Sequence, residues 1–406
     1  MALAALPTEL LDAVLAPLTP HPQALAAAAL SCSALNPSAT RLLYRHLSLS
    51  AYARNLSVVN LLALRPDLAG LVRTFSVHLD DAEPAVLPTY SDLQRALALM
   101  TNLTSLALYV DASASWILSP PQGKKSQKSD ILRPVLPFYP RLEHLTCNFP
   151  LDAHLATFLG QVPSLISLQL ASLLSNTDAD VQSEPEHVFV PSSHIPLLEA
   201  YTGPAHILPA LASRPLRAVH LSGDLTLDLL PSPGAPLADD DPSRLRQSGA
   251  SPHHIAQAPT SSDNTGALLQ VMSAMTSAAP AQLLESLALA YPNLVCLRLM
   301  TTRALWDLPD LAFYSRIAAT LSTLPHLAAF ELSGIHWQSR RKSPSPSEPS
   351  SSSSAVTSAS AAATEKEWIS PPVSPRAAQL PPPDDEEDDL EDRDYDFDGA
   401  FLDWSY

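Results

Sequence analysis

The residues whose types and spacing come closest to a chemical site form the segment DYDFDG, Asp394–Gly399. Alternating aspartates followed by glycine are typical of the first half of a calcium-binding loop, in which carboxylates bind the ion and glycine permits a sharp turn. The last position of such a loop requires a glutamate that binds through both oxygens, and Ser405 stands there. The segment therefore predicts no calcium site.

Other residues capable of chemistry stand in stretches that predict solvated loops. His253 and His254 adjoin each other, and Asp239, Asp240 and Asp241 form a short acidic run, both without apolar periodicity. The sequence lacks the Gly-x-Ser-x-Gly, His-Glu-x-x-His and phosphate-binding lysine motifs. Its 10 glycines, against 40 prolines, argue against glycine-rich nucleotide loops. We therefore expect a protein that is not an enzyme, with no metal and no cofactor.

Length and charge limit the classes of protein that remain. With 406 residues and 46% hydrophobic content, the chain has room for two or three domains and a real core. The net charge is −17, of which residues 384–406 contribute −11 through 12 acidic residues and Arg393. Because nucleic-acid binding needs a basic surface, we expect no nucleic-acid partner.

Cysteine usage and hydropathy indicate where the protein works. Cys32, Cys147 and Cys296 are far apart and odd in number, which predicts neither a disulfide framework nor a metal site and fits a reducing compartment. The N-terminus lacks the pattern of a signal peptide, and no run approaches the ~18 apolar residues of a membrane span. We expect a cytoplasmic or nuclear protein with no membrane partner.

The segment LPTELLDAVLAPL, residues 6–18, predicts an amphipathic helix with an unusually wide apolar band. Pro7 suits the first helical turn, whereas Pro17 should end the helix early. The band consists of two adjacent stripes. The first contains Leu6, Leu10, Val14 and Leu18, and the second contains Leu11 and Leu15. Two further short helices follow before residue 50. A unit this small buries too little surface by itself, so another surface must cover it.

This order of elements resembles the F-box. The resemblance rests on Leu-Pro-x-Glu-Leu-Leu at the start of residues 6–18 and on the apolar helix and Leu-Leu-Tyr within ALAAAALSCSALNPSATRLLYRHLSL, residues 24–49. It implies a small helical domain, residues 1–50, that binds a Skp adaptor and through it a cullin scaffold. The residues that the resemblance assigns to adaptor contact or to the supporting fold are Leu6, Pro7, Leu10, Leu11, Val14, Leu15, Leu18, Leu25, Leu30, Leu42, Leu43 and Tyr44.

A repeated pattern begins after residue 50. The motif Pro-x-Leu-x-x-Φ-x-Φ, where Φ is apolar, occurs in YPRLEHLTC, VPSLISLQL, YPNLVCLRL and LPHLAAFEL, and TNLTSLALYV and IPLLEAYTG match in part. Each ends with strand periodicity, and a helical pattern precedes nearly every one. The unit is therefore helix, turn and short strand, which predicts an α/β solenoid over residues 51–338. It resembles an irregular leucine-rich repeat without the usual asparagine, and an ordinary α/β domain is the alternative.

Segments without apolar periodicity interrupt and follow the repeats. Disordered inserts are predicted near residues 119–130, 175–190 and 231–266, and a Ser/Pro-rich, then acidic-aromatic, tail is predicted to be disordered over 339–406. Serines that precede proline permit phosphorylation, namely Ser343, Ser345, Ser370 and Ser374. The default interpretation of the tail is a solubilising segment, and the alternative is a docking peptide formed by apolar residues among its carboxylates, namely Tyr395, Phe397, Phe401, Leu402 and Trp404.

Together these patterns predict a substrate-recognition subunit of a cullin-type (SCF) ubiquitin ligase. In this hypothesis the N-terminal helices bind the adaptor, the solenoid holds an unidentified protein target, and catalysis resides in the partner proteins. Two alternatives remain. One is a non-catalytic leucine-rich-repeat scaffold whose helices cap the first repeat. The other is a nuclear regulator that acts through its acidic-aromatic tail.

Overall fold

One mixed sheet runs through the computed structural model, which describes residues 6–79, 87–120, 139–171, 190–191, 193–231, 268–302, 311–341 and 366–369. The strands are β1 His46–Ser50, β2 Thr74–His78, β3 Ser105–Tyr109, β4 His144–Cys147, β5 Ser167–Leu170, β6 Ala200–Pro204, β7 Ala218–Asp224, β8 Val271–Thr276, β9 Cys296–Thr301, β10 Ala329–Leu332, β11 Ile335–Arg341 and β12 Lys366–Ile369. They lie in the sheet in chain order. β1 to β10 pair in parallel, and β11 and β12 add antiparallel pairs.

α-Helices lie in most of the described connections between the parallel strands, which need long crossovers. Their bounds are α1 Thr8–Leu15, α2 Pro22–Ser31, α3 Asn36–Arg45, α4 Ser57–Leu64, α5 Pro66–Ala69, α6 Leu87–Leu99, α7 Ala153–Leu159, α8 Leu208–Leu211, α9 Pro280–Ala290 and α10 Leu311–Ser322. Short 3-10 helices lie at Ala16–Leu18, Ala112–Leu118, Ala205–Ile207 and Leu227–Leu229. No helix within the described ranges is both long and apolar enough to cross a lipid bilayer.

The main core lies on one face of the sheet. Successive strand residues point to opposite faces, and in β2 to β10 one face carries a buried row in register. That row comprises Phe75, Leu106, Leu145, Leu168, Tyr201, Val219, Met272, Leu297 and Phe330. Buried side chains of α4 to α10 belong to the same apolar cluster. The chain is therefore mixed α/β with a long, open, mostly parallel sheet, which confirms the α/β part of the predicted fold class.

A recurring turn explains the repeated motif. In six places the backbone N–H of the motif leucine donates to the carbonyl three residues earlier, as in Leu142 to Tyr139 (3.4 Å) and Leu294 to Tyr291 (3.3 Å). Proline favours the second position of such a turn because its φ is already fixed. The leucine that closes the turn is buried and anchors it to the core, as Leu142 and Leu294 show at 0% exposure. The predicted strands after these turns are confirmed.

The boundaries of the predicted domains need correction. The helical domain does not extend to residue 50, because β1 pairs with β2 along its whole length and Leu49 joins the main core. The disordered tail does not begin at residue 339, because β11 continues to Arg341 and pairs with Lys366–Ile369. Most of the three predicted inserts lies outside the described residues, but Val190 is buried, so the core has resumed there.

The outer edge of β1 is blocked by one side chain. The Asn55 amide donates to the carbonyl of Ser48 (2.9 Å), and its Oδ1 accepts from the backbone N–H of Ser50 (3.0 Å). Two backbone groups that face away from β2 are thereby paired as a further strand would pair them. Exposed strand edges promote pairing with other chains, so Asn55 protects this edge.

Replacing Asn55 with alanine is expected to lower the free energy of unfolding by about 1 kcal/mol and to promote self-association, because two edge groups lose their partners. Urea unfolding measures the first effect and sedimentation velocity the second. Asn60→Ala is the control, since the Asn60 amide makes an exposed hydrogen bond to Asp92 on the helical side. Equal self-association of the two variants would contradict the edge-protection role.

Candidate functional site

The first candidate surface is the outward side of α1. Leu10 and Val14 lie one helical turn apart and are 51% and 52% exposed, and Pro7 is exposed in the preceding turn. Leu30, near the end of α2, is 87% exposed. Four exposed apolar residues in a unit of about forty are therefore available to a partner, and we call Pro7, Leu10 and Val14 the α1 patch. Leu6 and Leu18 flank it and are half-buried.

The other side of the same helices forms a small core. Leu15, Leu25, Ala39 and Leu42 form a cluster separate from the main core, and Leu11 is also buried. Leu11 and Leu15, which the resemblance assigns to adaptor contact, are therefore buried within the helical unit, on the side of α1 that packs against α3. The predicted apolar band is real, but only half of it is open.

Helix α3 holds the unit together and joins it to the sheet. It contacts both α1 and α2, and it ends at Arg45, directly before β1. An ion pair joins Arg41 to Asp12 of α1, although both are exposed enough for water to weaken it. Leu43 packs on the small core, whereas Tyr44 packs on the main core. The helical unit therefore meets the sheet through its last helix.

The α1 patch is not covered by the described repeats. The main core includes no residue of α1 or α2, and the most extensive contacts of the helical unit with the sheet domain run through α3. The 3-10 helix Ala16–Leu18 replaces the continuation of α1, as Pro17 predicts. The side of the helical unit that carries the α1 patch is therefore exposed to solvent.

The second candidate surface is the sheet face opposite the main core. On β1 to β6 its outward positions carry no Asp, Glu, Lys or Arg. These positions are His46, Ser48, Ser50, Thr74, Ser76, His78, Ser105, Ala107, Tyr109, His144, Thr146, Ser167, Gln169, Ala200, Thr202 and Pro204. We call these positions the polar face. Side chains that donate and accept hydrogen bonds dominate it, which suits recognition of a polypeptide.

Short-range contacts order several side chains on this surface. The His46 ring contacts the Thr74 hydroxyl (Nδ1 to Oγ1, 3.1 Å), and the His78 ring stacks on Tyr109 with centroids 4.6 Å apart. Burial lowers the pKa of His46, and the nearby charge of Arg45 lowers it further. Burial also lowers the pKa of His220, which lies on this side of the sheet in β7 beside Thr202.

The C-terminal part of the same face is charged and more buried. Glu331, 3% exposed, lies in register between Arg298 of β9 and His336 of β11. Its carboxylate pairs with Arg298 at 3.1 Å and stands 3.6 Å from His336. A buried carboxylate requires such partners, so this cluster is explained by packing.

One serine–histidine pair invites comparison with hydrolase chemistry. The Ser119 hydroxyl lies 2.7 Å from Nδ1 of His154, but Asp152, two residues away, accepts from Ser115 and from the backbone N–H of Leu155. The Asp152 carboxylate therefore stabilises the start of α7 and does not orient the His154 imidazole. The three cysteines are free, and burial raises the pKa of Cys147 to about 12, which keeps it a thiol at neutral pH.

Several predicted sites, and several candidate residues that the sequence analysis rejected, lie outside the described residues. They are the serines before proline, Ser343, Ser345, Ser370 and Ser374, the tail residues Tyr395, Phe397, Phe401, Leu402 and Trp404, the acidic run Asp239–Asp241, the pair His253 and His254, and the segment Asp394–Gly399. No group of three or more described His, Cys, Asp or Glu residues could hold a metal ion.

Sequence reasoning did not identify the polar face, although a signal for it was present. In each motif Leu-x-x-Φ-x-Φ, the residue between the two apolar positions is the outward one, such as Thr146, Gln169 and Arg298. Reading those middle positions across successive repeats would have listed the face. No family model matches the chain, and no curated protein shows significant similarity to it.

Proposed function

We propose that this protein is a substrate-recognition subunit of a cullin-type ubiquitin ligase, in which the α1 patch binds a Skp adaptor and the sheet domain holds the target. The observation that carries the proposal is the exposure of Leu10 and Val14 on a helical unit with its own core. Their neighbours Leu11 and Leu15 support the patch from within.

The sheet domain supports the other half of the proposal. Ten parallel strands in chain order, six of them after a turn closed by a buried leucine, suit an irregular leucine-rich-repeat solenoid. One face is filled by helices and the other presents polar side chains, so a target can lie across the strands. The protein then acts by bringing its target close to a ubiquitin-carrying partner, which raises the effective concentration of the reacting groups.

Replacing both Leu10 and Val14 with aspartate is expected to reduce co-purification with the Skp adaptor by at least about a hundredfold, because two apolar anchors become charged. Both side chains are half-exposed, so the melting temperature should change little. The matched control places aspartate at two exposed positions of α2, Gln23 and Ala27.

Two results would contradict adaptor binding at the α1 patch. One is retention of the adaptor by the Leu10→Asp, Val14→Asp variant. The other is an equal loss in the Gln23→Asp, Ala27→Asp control, which would show that added charge anywhere on the unit is sufficient.

A second candidate function is a scaffold in which the helices only cap the sheet. The observation that favours it is that α3 runs directly into the edge strand β1 and that Tyr44 packs on the main core. Capping elements protect the terminal apolar surface of a repeat array. This function predicts that unfolding the helices destabilises the sheet, whereas an adaptor-binding unit leaves it stable.

A further inference from the structure

We propose that the β1–β2 end of the polar face, with Arg45 and Arg73 beside it, binds a carboxylate-rich segment of the target protein. The inference rests on the proposed function only in attributing that segment to a ligase target. The site is built from two arginines at the amino ends of β1 and β2 and from the imidazole and hydroxyl groups of the two strands.

The backbones of the two arginines are adjacent, and neither side chain has an acidic partner among the described residues. They precede β1 and β2, and the backbone N–H of Arg73 donates to the carbonyl of Arg45 (2.9 Å). Neither forms an ion pair or a side-chain hydrogen bond with any described residue, whereas the nearby Arg41 and Arg65 pair with Asp12 and Asp67. Like charges on neighbouring strands repel, so an anion between them would be stabilising.

The local charge is opposite to that of the whole chain. Residues 41–79 contain five arginines and a single carboxylate, Asp67, within a protein of net charge −17; Arg41 and Arg65 pair with Asp12 and Asp67, and the other three form no ion pair with a described residue. The adjacent strand positions His46, Ser48, Thr74 and Ser76 add hydrogen-bond donors and no carboxylate. Charge complementarity therefore favours an acidic partner here and disfavours a basic one.

Arg45 also has a simpler structural role, since it lies in the last turn of α3 and complements the helix dipole. That role does not extend to Arg73, which lies in the connection before β2. Stabilisation of the end of α3 therefore explains the charge of Arg45 but not that of Arg73. Because Arg45 has this structural role, the test measures peptide binding and the stability of the fold separately.

The test measures binding of a fluorescein-labelled peptide of alternating glutamate and serine to the full chain by fluorescence anisotropy at low ionic strength. Reversing both charges, Arg45→Glu with Arg73→Glu, is expected to weaken binding by about tenfold or more. The control variant reverses two helical-side arginines, Arg65→Glu with Arg95→Glu, and so matches the net charge. Its affinity should stay within about twofold of the wild type.

Any of four results would overturn the inference: no binding of the peptide by the wild type, equal weakening in both variants, equal binding of a glutamine-for-glutamate peptide, or equally tight binding of a DNA oligonucleotide of the same charge. The melting temperature of each variant is measured alongside. Retention of the Skp adaptor by Arg45→Glu, Arg73→Glu separates this site from the α1 patch. Loss of peptide binding and loss of adaptor binding are thus independent outcomes.

Discussion

Replacing Leu25 with aspartate is expected to unfold α1 to α3 while the sheet domain stays folded. Leu25 is 1% exposed in the small core. Loss of the Leu25 side chain alone lowers the free energy of unfolding by about 2–5 kcal/mol, and burial of a carboxylate lowers it further. A helical unit of about forty residues has less stability than that to lose.

Limited proteolysis with mass spectrometry measures the outcome region by region. New cleavage is expected within residues 8–45, whereas the urea midpoint of the sheet domain should remain within error of the wild type, because the main core contains no residue of α1 or α2. Leu10→Asp is the control, since the same charge at a half-exposed position should leave the helices protected.

The same variant distinguishes the two candidate functions. A capping role requires the sheet to lose stability together with the helices. A fall of several kcal/mol in the sheet's unfolding free energy in Leu25→Asp would therefore favour the scaffold and contradict an independent adaptor-binding unit. Tyr44 lies in α3 and packs on the main core, so it would couple the stability of the helices to that of the sheet.

Arg214→Met is expected to lower the free energy of unfolding by about 3–5 kcal/mol, the largest effect for a single polar residue of the sheet domain. Arg214 is 2% exposed, and burial lowers its pKa. Its guanidinium donates to the carbonyls of Val190 (3.1 Å), Pro191 (2.6 Å) and His194 (3.5 Å), as well as to Ala210. Methionine fills similar space but removes all of these donors, and only the Pro191 carbonyl keeps another described donor, the backbone N–H of His194 (2.9 Å).

Guanidinium chloride unfolding of Arg214→Met, compared with Arg217→Met, provides the measurement. Arg217 is three residues further along the chain and pairs with Glu199 at 3.6 Å, but it is largely exposed, so its loss should cost less than about 1 kcal/mol. Equal effects of the two substitutions would show that the carbonyl contacts of Arg214 contribute little beyond those of a surface pair.

Much of the sheet could be predicted because its signal is local. The turn, the buried leucine and two alternating apolar residues lie within nine positions, so YPRLEHLTC predicts β4 without knowledge of any other strand. β7 was not predicted, since Pro215 stands directly before Leu216 and breaks the required spacing. β1, β2 and β8 lack the proline altogether. A search for Leu-x-x-Φ-x-Φ with any apolar first residue would have included them.

The N-terminal helices show the limit of periodicity. The spacing of Leu6 to Leu18 predicts which residues share a stripe, and the helix forms where expected and ends before Pro17. Periodicity does not say which stripe another helix covers. In the folded chain Leu11 and Leu15 are buried on the side of α1 that faces α3, whereas Leu10 and Val14 remain exposed.

The sequence by itself determined the elements of this protein: short amphipathic helices, turns closed by leucine and two-residue alternation, because each depends on neighbours within about one turn or one strand. Only the tertiary structure decided which half of the α1 band is open and which strand residues form a continuous polar face. It also placed Arg45 beside Arg73 and Arg214 among distant carbonyls. These juxtapositions join residues tens of positions apart, and only packing and strand register bring them together.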